Sequence, residues 1–210
     1  MNNIHVLNHP LLNHRIAILR DKNTKPELFR RTVQEIAEFE VYEALRDIPT
    51  YEETVETPLE KTVQHKVNED NICLVPILRA GLGMSDGASR ILPGAHVGHI
   101  GMYRDETTHE AKEYYARFPK GIENMEVLLL DPMLATGGSA IDAVRQLKAR
   151  GAKSIRFLCL IAAPEGVERM KKECPDIPVY IGALDRELNE NCYILPGLGD
   201  AGDRIFGTVD

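Results

Sequence analysis

The sequence predicts an α/β fold, a Rossmann-like parallel sheet flanked by helices, and three observations predict it. Apolar runs without polar alternation at 72–78, 127–130 and 155–162 read as strands buried on both faces. Amphipathic stretches of helical period separate them. The links are short, which is the strand–helix alternation of a parallel sheet. At 210 residues a single domain is the expected count, with enough chain for a proper core.

The elements follow in order. Residues 1–48 read as an N-terminal arm and a strong helix from Pro26 to about Asp47. Thr24 is its expected cap, Pro26 lies in its first turn, and Phe29, Val33, Ile36 and Ala37 form its apolar stripe. Residues 54–57 and 62–67 make a peripheral strand pair. The strand at 72–78 precedes a helix over 83–92 and a strand over 96–103. The polar stretch from Asp105 to Lys112, with 113–118 as its returning arm, forms a protruding β-hairpin flap over about 102–118. Then come the strand at 127–130, a helix over 140–150 closed by Gly151, a strand at 155–162, a helix over 164–173 and a strand at 179–183. A Gly- and Pro-rich segment, about 184–206, ends the series. No internal repeat, low-complexity tract or interdomain linker interrupts it.

Composition narrows the function class. The formal net charge is −7 and no Lys/Arg run exceeds two residues, which argues against nucleic acid or a membrane surface as a charge-driven partner. No apolar stretch approaches the ~18 residues of a membrane span. Residues 1–5 lack the charged and apolar regions of a signal peptide. The four cysteines, Cys73, Cys159, Cys174 and Cys192, form no C-x-x-C pair and read as reduced core thiols of a cytoplasmic protein. His96 and His99, three apart on a strand, point to opposite faces, so a shared metal is not expected. The histidines show no ligand spacing for zinc.

The most informative stretch is 127–139, Val-Leu-Leu-Leu-Asp-Pro-Met-Leu-Ala-Thr-Gly-Gly-Ser. A buried strand runs into Asp131, and Thr136-Gly137-Gly138-Ser139 opens a helix. The loop lies at the carboxyl end of its strand, where open α/β sheets bind ligands. Small residues let backbone N–H groups approach an anion, and the helix start adds its positive dipole end. Asp131 can accept hydrogen bonds from vicinal hydroxyls. A phosphate cradle beside such a carboxylate suits a sugar phosphate. Taken alone, Thr-Gly-Gly-Ser is also an ordinary helix start. The segment is neither a Walker A loop nor a dinucleotide fingerprint.

The whole string resembles the 5-phosphoribosyl-1-pyrophosphate (PRPP) signature of the type I phosphoribosyltransferases. Most of that superfamily has two adjacent acids at the strand end, whereas here Pro132 takes the second place, the form of the uracil phosphoribosyltransferase branch. Two further motifs carry the same resemblance over essentially the whole chain. One is Pro76-Ile77-Leu78-Arg79-Ala80-Gly81, preceded by the Asn8-His9-Pro10-Leu11 opening. The other is Pro196-Gly197-Leu198-Gly199-Asp200-Ala201-Gly202-Asp203-Arg204.

The resemblance implies a transfer of 5-phosphoribose from PRPP to uracil N1, giving UMP and pyrophosphate. It implies PRPP contacts from Arg79, Arg104, Asp131, Pro132, Met133, Leu134, Ala135, Thr136, Gly137, Gly138, Ser139 and Asp200. It places uracil against Ile194, Gly199, Asp200 and Ala201. Asp131, Arg104 and Asp200 are the expected catalytic residues. The chemistry of the parts is consistent with this. Arg79 stands at a strand tip before a glycine turn and offers a forked, permanent cation for pyrophosphate, although an ion pair with a nearby acid is an equal local reading. Glycines leave main-chain donors and acceptors open to the C=O, N–H, C=O edge of uracil, and cytosine would leave such groups unpaired. Mg²⁺ is the expected cofactor, held mainly by PRPP and water and by Asp200, with no all-protein cage. The family further implies a homo-oligomer and, in some members, activation by GTP. The competing readings are a PRPP- or nucleotide-sensing regulator on the same fold, which would need a basic face, and a transferase for another base.

Overall fold

The computed structural model describes residues 3–104 and 111–208, with the backbone alone at 103, 104 and 111–113. The chain begins with β1 (Ile4–Val6), α1 (Pro10–Arg20) and α2 (Pro26–Ala44). A hairpin of β2 (Thr50–Glu56) and β3 (Lys61–Val67) follows, then β4 (Ile72–Leu78) and α3 (Leu82–Ile91). Next come β5 (His96–Val97), β6 (His99–Arg104) and β7 (Ala111–Arg117), then β8 (Glu126–Leu130), β9 (Met133–Leu134) and α4 (Gly138–Ala149). The last part holds β10 (Ser154–Ala162), α5 (Pro164–Glu173), β11 (Val179–Leu184), β12 (Glu187–Leu188), β13 (Ile194–Leu195) and α6 (Ala201–Phe206).

The main sheet runs in the order β1-β11-β10-β8-β4-β6-β7, parallel except for β7, which returns antiparallel to β6. Both faces of its middle strands are buried, as the uninterrupted apolar runs require. In β8, Leu128 and Leu130 pack with α1, α2 and α3, while Val127 and Leu129 pack with α4 and α5. Burial of each such side chain is worth about 1.5–3 kcal/mol, so the tips of these strands are firmly placed. The order reverses between β4 and β8. From β4 the chain crosses to β6 on one side, and from β8 it crosses to β10 on the other. That topological switch point opens a crevice at the strands' carboxyl ends.

Several boundaries differ from the sequence reading. Thr24 does not cap α2: its Oγ1 donates to the Ile18 carbonyl at 2.7 Å, and Lys25 holds the N-cap position without a side-chain hydrogen bond. The helix stops at Ala44, whose carbonyl accepts from Arg156 Nη1. The arm ahead of it contains a helix, α1, started by Pro10 and capped by His9 Nδ1. Its buried stripe of Leu12, Ile16 and Leu19 is too short to stand out in sequence. The strand at 96–103 is divided at Gly98, where a Cβ would lie 2.8 Å from the Phe118 ring. Helix α4 begins at Gly138, earlier than expected. Of the four cysteines, Cys192 is exposed and so is not a core thiol. The hairpin of β6 and β7 forms the arms of the expected flap, and its crest, 105–110, lies outside the described residues.

Candidate active site

Asp131 follows β8 directly, anchored by the wholly buried Leu129 and Leu130 and by its own N–H, which donates to the Leu158 carbonyl at 3.2 Å. Met133 and Leu134 then pair with Ile161 and Ala162 of β10, and the chain turns into α4. The turn depends on Gly137, which sits at φ 79° in the N-cap position. A second glycine supports it from behind. At Gly166 of α5 a Cβ would stand 2.3 Å from the Ala135 carbonyl oxygen, so the helix packs flush against the loop. From the next turn of the same helix Arg169 Nη1 reaches the Thr136 carbonyl at 3.4 Å. The first N–H groups of the 12-residue α4 have no intrahelical partner, and the N-cap residue, Gly137, has no side chain to cap them, which favours an anion at this end with the dipole pointing at it. Pro132 and Leu134 are buried and their carbonyls accept from Ile161 and Ala163, so only their backbone lines the loop.

The Asp131 carboxyl is crowded by the protein. Burial raises its pKa to about 7, opposed weakly by the Met133 N–H, which donates to Oδ1 at 3.4 Å. Near neutral pH its protonated and charged forms are therefore close in free energy, and hydroxyl donors or a cation would draw it to the charged form. Across the crevice, Arg79 stands exposed at the tip of β4. Its Nη2 is 3.8 Å from Asp203 Oδ1, a loose surface contact of little energetic weight. The turn after it packs on the β8 tip: a Cβ at Gly81 would lie 2.5 Å from the Leu130 carbonyl oxygen. Arg79 and Asp131 thus flank the switch point from adjacent strands.

The C-terminal segment closes the crevice. It is not the continuous loop that its glycines and prolines predict. Residues 201–206 form α6, whose cap is Asp200, with Oδ1 accepting from the Asp203 N–H at 2.9 Å. Gly202 brings this helix beside the Arg79 turn, where a Cβ would be 3.7 Å from that of Ala80. Asp200 and Gly199 are exposed, with Gly199 at φ 83°. Ile194 and Ala201 are buried in the core, so they can meet a ligand through the main chain alone. The apolar Ile194 and Ile205 that flank the segment are buried, but local sequence gave no hint of the polar contacts that hold it. Arg204 Nη1 donates to the carbonyls of Leu19 and Leu198, its Nη2 donates to that of Asp21, and its guanidinium lies 4.3 Å above the Phe29 ring. Arg20 and Asp185 bind each other and Gly197. No motif marks these side chains as partners, because 165 positions separate Arg20 from Asp185.

Arg104 is the last residue of β6 and pairs with Ala111; its side chain lies outside what is described. Among the described residues there is no cluster of three or more His, Cys, Asp or Glu able to hold a metal. Asp200 is an exposed carboxylate beside the crevice, a single oxygen-donor side chain of the kind that can add one ligand to an ion carried by a substrate. Among the described residues no helix is long and apolar enough to cross a membrane.

The family model for uracil phosphoribosyltransferase matches residues 6–208. A uracil phosphoribosyltransferase of Ligilactobacillus salivarius is 54% identical over 99% of this chain and 100% of its own. One from Halalkalibacterium halodurans is 52% identical over the same shares. Among solved structures, the AQ2163 protein of Aquifex aeolicus is 40% identical and covers 97% of each chain with a TM-score of 0.92. A hypoxanthine-guanine phosphoribosyltransferase of Bacillus anthracis, 15% identical, covers 76% of this chain and 80% of its own at 0.52, a likeness of fold. The chain belongs to the uracil phosphoribosyltransferase family.

Proposed function

We propose that this member of the family transfers 5-phosphoribose from PRPP to N1 of uracil, releasing pyrophosphate and forming UMP in pyrimidine salvage. The observation that carries the reading is the meeting, at one switch point, of an uncapped helix start, a strand-tip carboxylate and a glycine-rich main-chain loop. The residues 1–210 act as one phosphoribosyltransferase domain, with the flap at about 102–118 and the base-binding segment at about 184–206.

PRPP binds with its 5-phosphate on the loop Ala135–Ser139 and its ribose hydroxyls on Asp131. Arg79 and Arg104 take the pyrophosphate and offset the charge that grows on it as the C1–O bond loosens. Uracil lies against the main chain of Ile194, Gly199, Asp200 and Ala201, with N1 in line with C1. N1 forms the new bond to C1 with inversion, the electron pair of the broken bond leaves with pyrophosphate, and the N1 proton passes to Asp200 or solvent. Positioning and preorganised charge supply most of the acceleration. Mg²⁺, when bound with PRPP, neutralises charge on the leaving group, and Asp200 is the protein carboxylate assigned to it.

We assign the protein to the cytoplasm as a homo-oligomer. Support for the oligomer comes from the hairpin of β2 and β3, where Tyr51, Leu59 and Val63 are exposed, and from the neighbouring helix face, where Tyr42 is 74% exposed. GTP activation is carried over from the family as a property to assay. The test is UMP formation from uracil and PRPP with Mg²⁺, beside cytosine, adenine, hypoxanthine and orotate. Turnover with uracil alone is the expected result. Turnover with another base would keep the fold and the PRPP loop but overturn the base-loop reading. PRPP binding without turnover on any base would move the assignment to a regulator.

A further inference from the structure

We propose that Arg20 and Asp185 are positioning residues for base selection: together they grip both main-chain polar groups of Gly197 and so hold the base loop in its recognising shape. This rests on the base-loop reading above. Asp185 follows the end of β11, is 8% exposed and is tied to the sheet by its own N–H, which donates to the Ala162 carbonyl at 2.8 Å. Its Oδ2 accepts from the Gly197 N–H at 2.9 Å and from Arg20 Nη1 at 2.9 Å, and its Oδ1 accepts from Arg20 Nη2. Arg20 Nη1 donates in addition to the Gly197 carbonyl at 2.8 Å. One peptide residue is thus held by its donor and its acceptor at once, by a forked ion pair that joins the end of α1 to the end of β11.

Gly197 needs that grip. It sits at φ 64° in a turn so tight that a Cβ would be 2.1 Å from the Ile194 carbonyl oxygen, and Gly199 follows at φ 83°. Glycines in this region lose more conformational freedom on ordering than any other residue. Discrimination by a main-chain edge requires donors and acceptors fixed at hydrogen-bond geometry, since a loose loop could re-pair with the wrong base. A largely buried ion pair is a poor device for stability, because apolar replacements of similar size often do as well. Its effect here is on where a loop stands. Among the described residues the hydrogen bonds of Arg20 run to Asp185 and to Gly197 of this loop, and none runs to the Ala135–Ser139 loop or Arg79.

The test compares KM for uracil and for PRPP, the uracil-to-cytosine ratio and the melting temperature in four variants. They are Arg20→Lys, Asp185→Asn, the apolar pair Arg20→Met with Asp185→Leu, and Asp200→Ala as a reporter of the base loop itself. The expected result is a uracil KM raised about tenfold or more in the three clamp variants, a cytosine discrimination reduced by a similar factor, and a PRPP KM within about twofold. The apolar pair should regain melting temperature without regaining uracil KM, which a purely structural role would not produce. Wild-type uracil KM and selectivity in the clamp variants, with Asp200→Ala still raising uracil KM, would overturn the clamp alone. Equal changes in both KM values, restored with the melting temperature by the apolar pair, would assign the ion pair to folding and overturn it too. An unchanged uracil KM in Asp200→Ala would remove the base-loop reading and the clamp with it.

Discussion

The loop at 131–139 and the loop at 194–201 face one crevice, yet they are built on opposite plans. The first is local. Its strand, its turn glycine and its helix are consecutive in the chain, and its polar equipment is its own Asp131 carboxylate and the backbone at a helix start, with Gly166 and Arg169 of α5 packed behind it. The second is assembled from afar, with Arg20 of α1 and Asp185 after β11 on Gly197, and Arg204 of α6 on the Leu198 carbonyl. The difference matches the two tasks. A phosphate is a compact, multiply charged group that any set of converging N–H donors will hold. A base edge must be told from a near copy of itself, which requires a shape that side chains enforce from outside the loop.

The largest effect should come from the local loop's carboxylate. Asp131→Asn is expected to lower turnover about 10²–10³-fold, as the loss of one preorganised charge-stabilising group does, and to leave the fold intact. The same substitution should make the protein more stable above pH 7. The folded-state pKa of Asp131 is raised from 3.8 to about 7 by burial, so the native state binds this proton more tightly than the unfolded chain. Stability from that source is complete below about pH 4, declines as the pH rises to 7 and is flat beyond. The asparagine has no such decline. Denaturation at pH 4 and pH 8 would show wild type and variant converging at the lower value and separating at the higher. Equal stability at both, with near-normal turnover, would take Asp131 out of the site. The wild type's KM for PRPP should also rise as the pH falls below 7, where the carboxyl is increasingly protonated before PRPP binds.

A smaller effect should follow from pressing on the local loop from behind. In Gly166→Ala the new methyl must displace the Ala135 carbonyl, 2.3 Å away. Overpacking of this kind costs about 1–3 kcal/mol. We expect a PRPP KM raised about tenfold with the uracil KM little changed, the mirror image of the clamp variants. A variant that moved both constants equally would show that the two loops are one mechanical unit and dissolve the contrast between them.

The contrast also explains what was legible in the sequence. The strand at 72–78, the helix at 164–173 and the run into Asp131 announce themselves because apolar period and turn glycines are local signals. Arg79 could be placed because a glycine turn follows it. Arg20 and Asp185 could not, since an ion pair closed across the fold leaves no spacing to read, and the Leu19, Asp21 and Phe29 partners of Arg204 lie as far off in the chain. Helix α6 was hidden by its composition: six residues beginning Ala-Gly-Asp have weak helical propensity, and it forms because Asp200 caps it and Ile205 is buried. Helix α1 was hidden by its short stripe. What tertiary contact decides, local pattern does not show.

Glu40 provides the smallest effect and the control for all of these. It lies on the core face of α2, wholly buried, and neither carboxylate oxygen has a hydrogen-bond partner among the described residues. Gly182 of β11 makes room for it: a Cβ there would be 3.1 Å from Oε1. Burial pushes its carboxyl well above the usual value, with only the Gly182 backbone opposing. Like Asp131, it holds its proton more tightly in the folded state, so it contributes a loss of stability that grows as the pH rises above its unfolded value near 4.5. Unlike Asp131, it belongs to neither loop and lies beneath β10 and β11. Glu40→Leu should therefore gain about 1–3 kcal/mol, the range for relieving an unpartnered buried polar group, with more gained at pH 8 than at pH 5. Both KM values and turnover should stay within about twofold of wild type. If removal of this carboxylate shifted the uracil KM, the base loop would depend on the sheet beneath it as well as on its clamp, and the division between a local and a borrowed loop would have to be redrawn through β11.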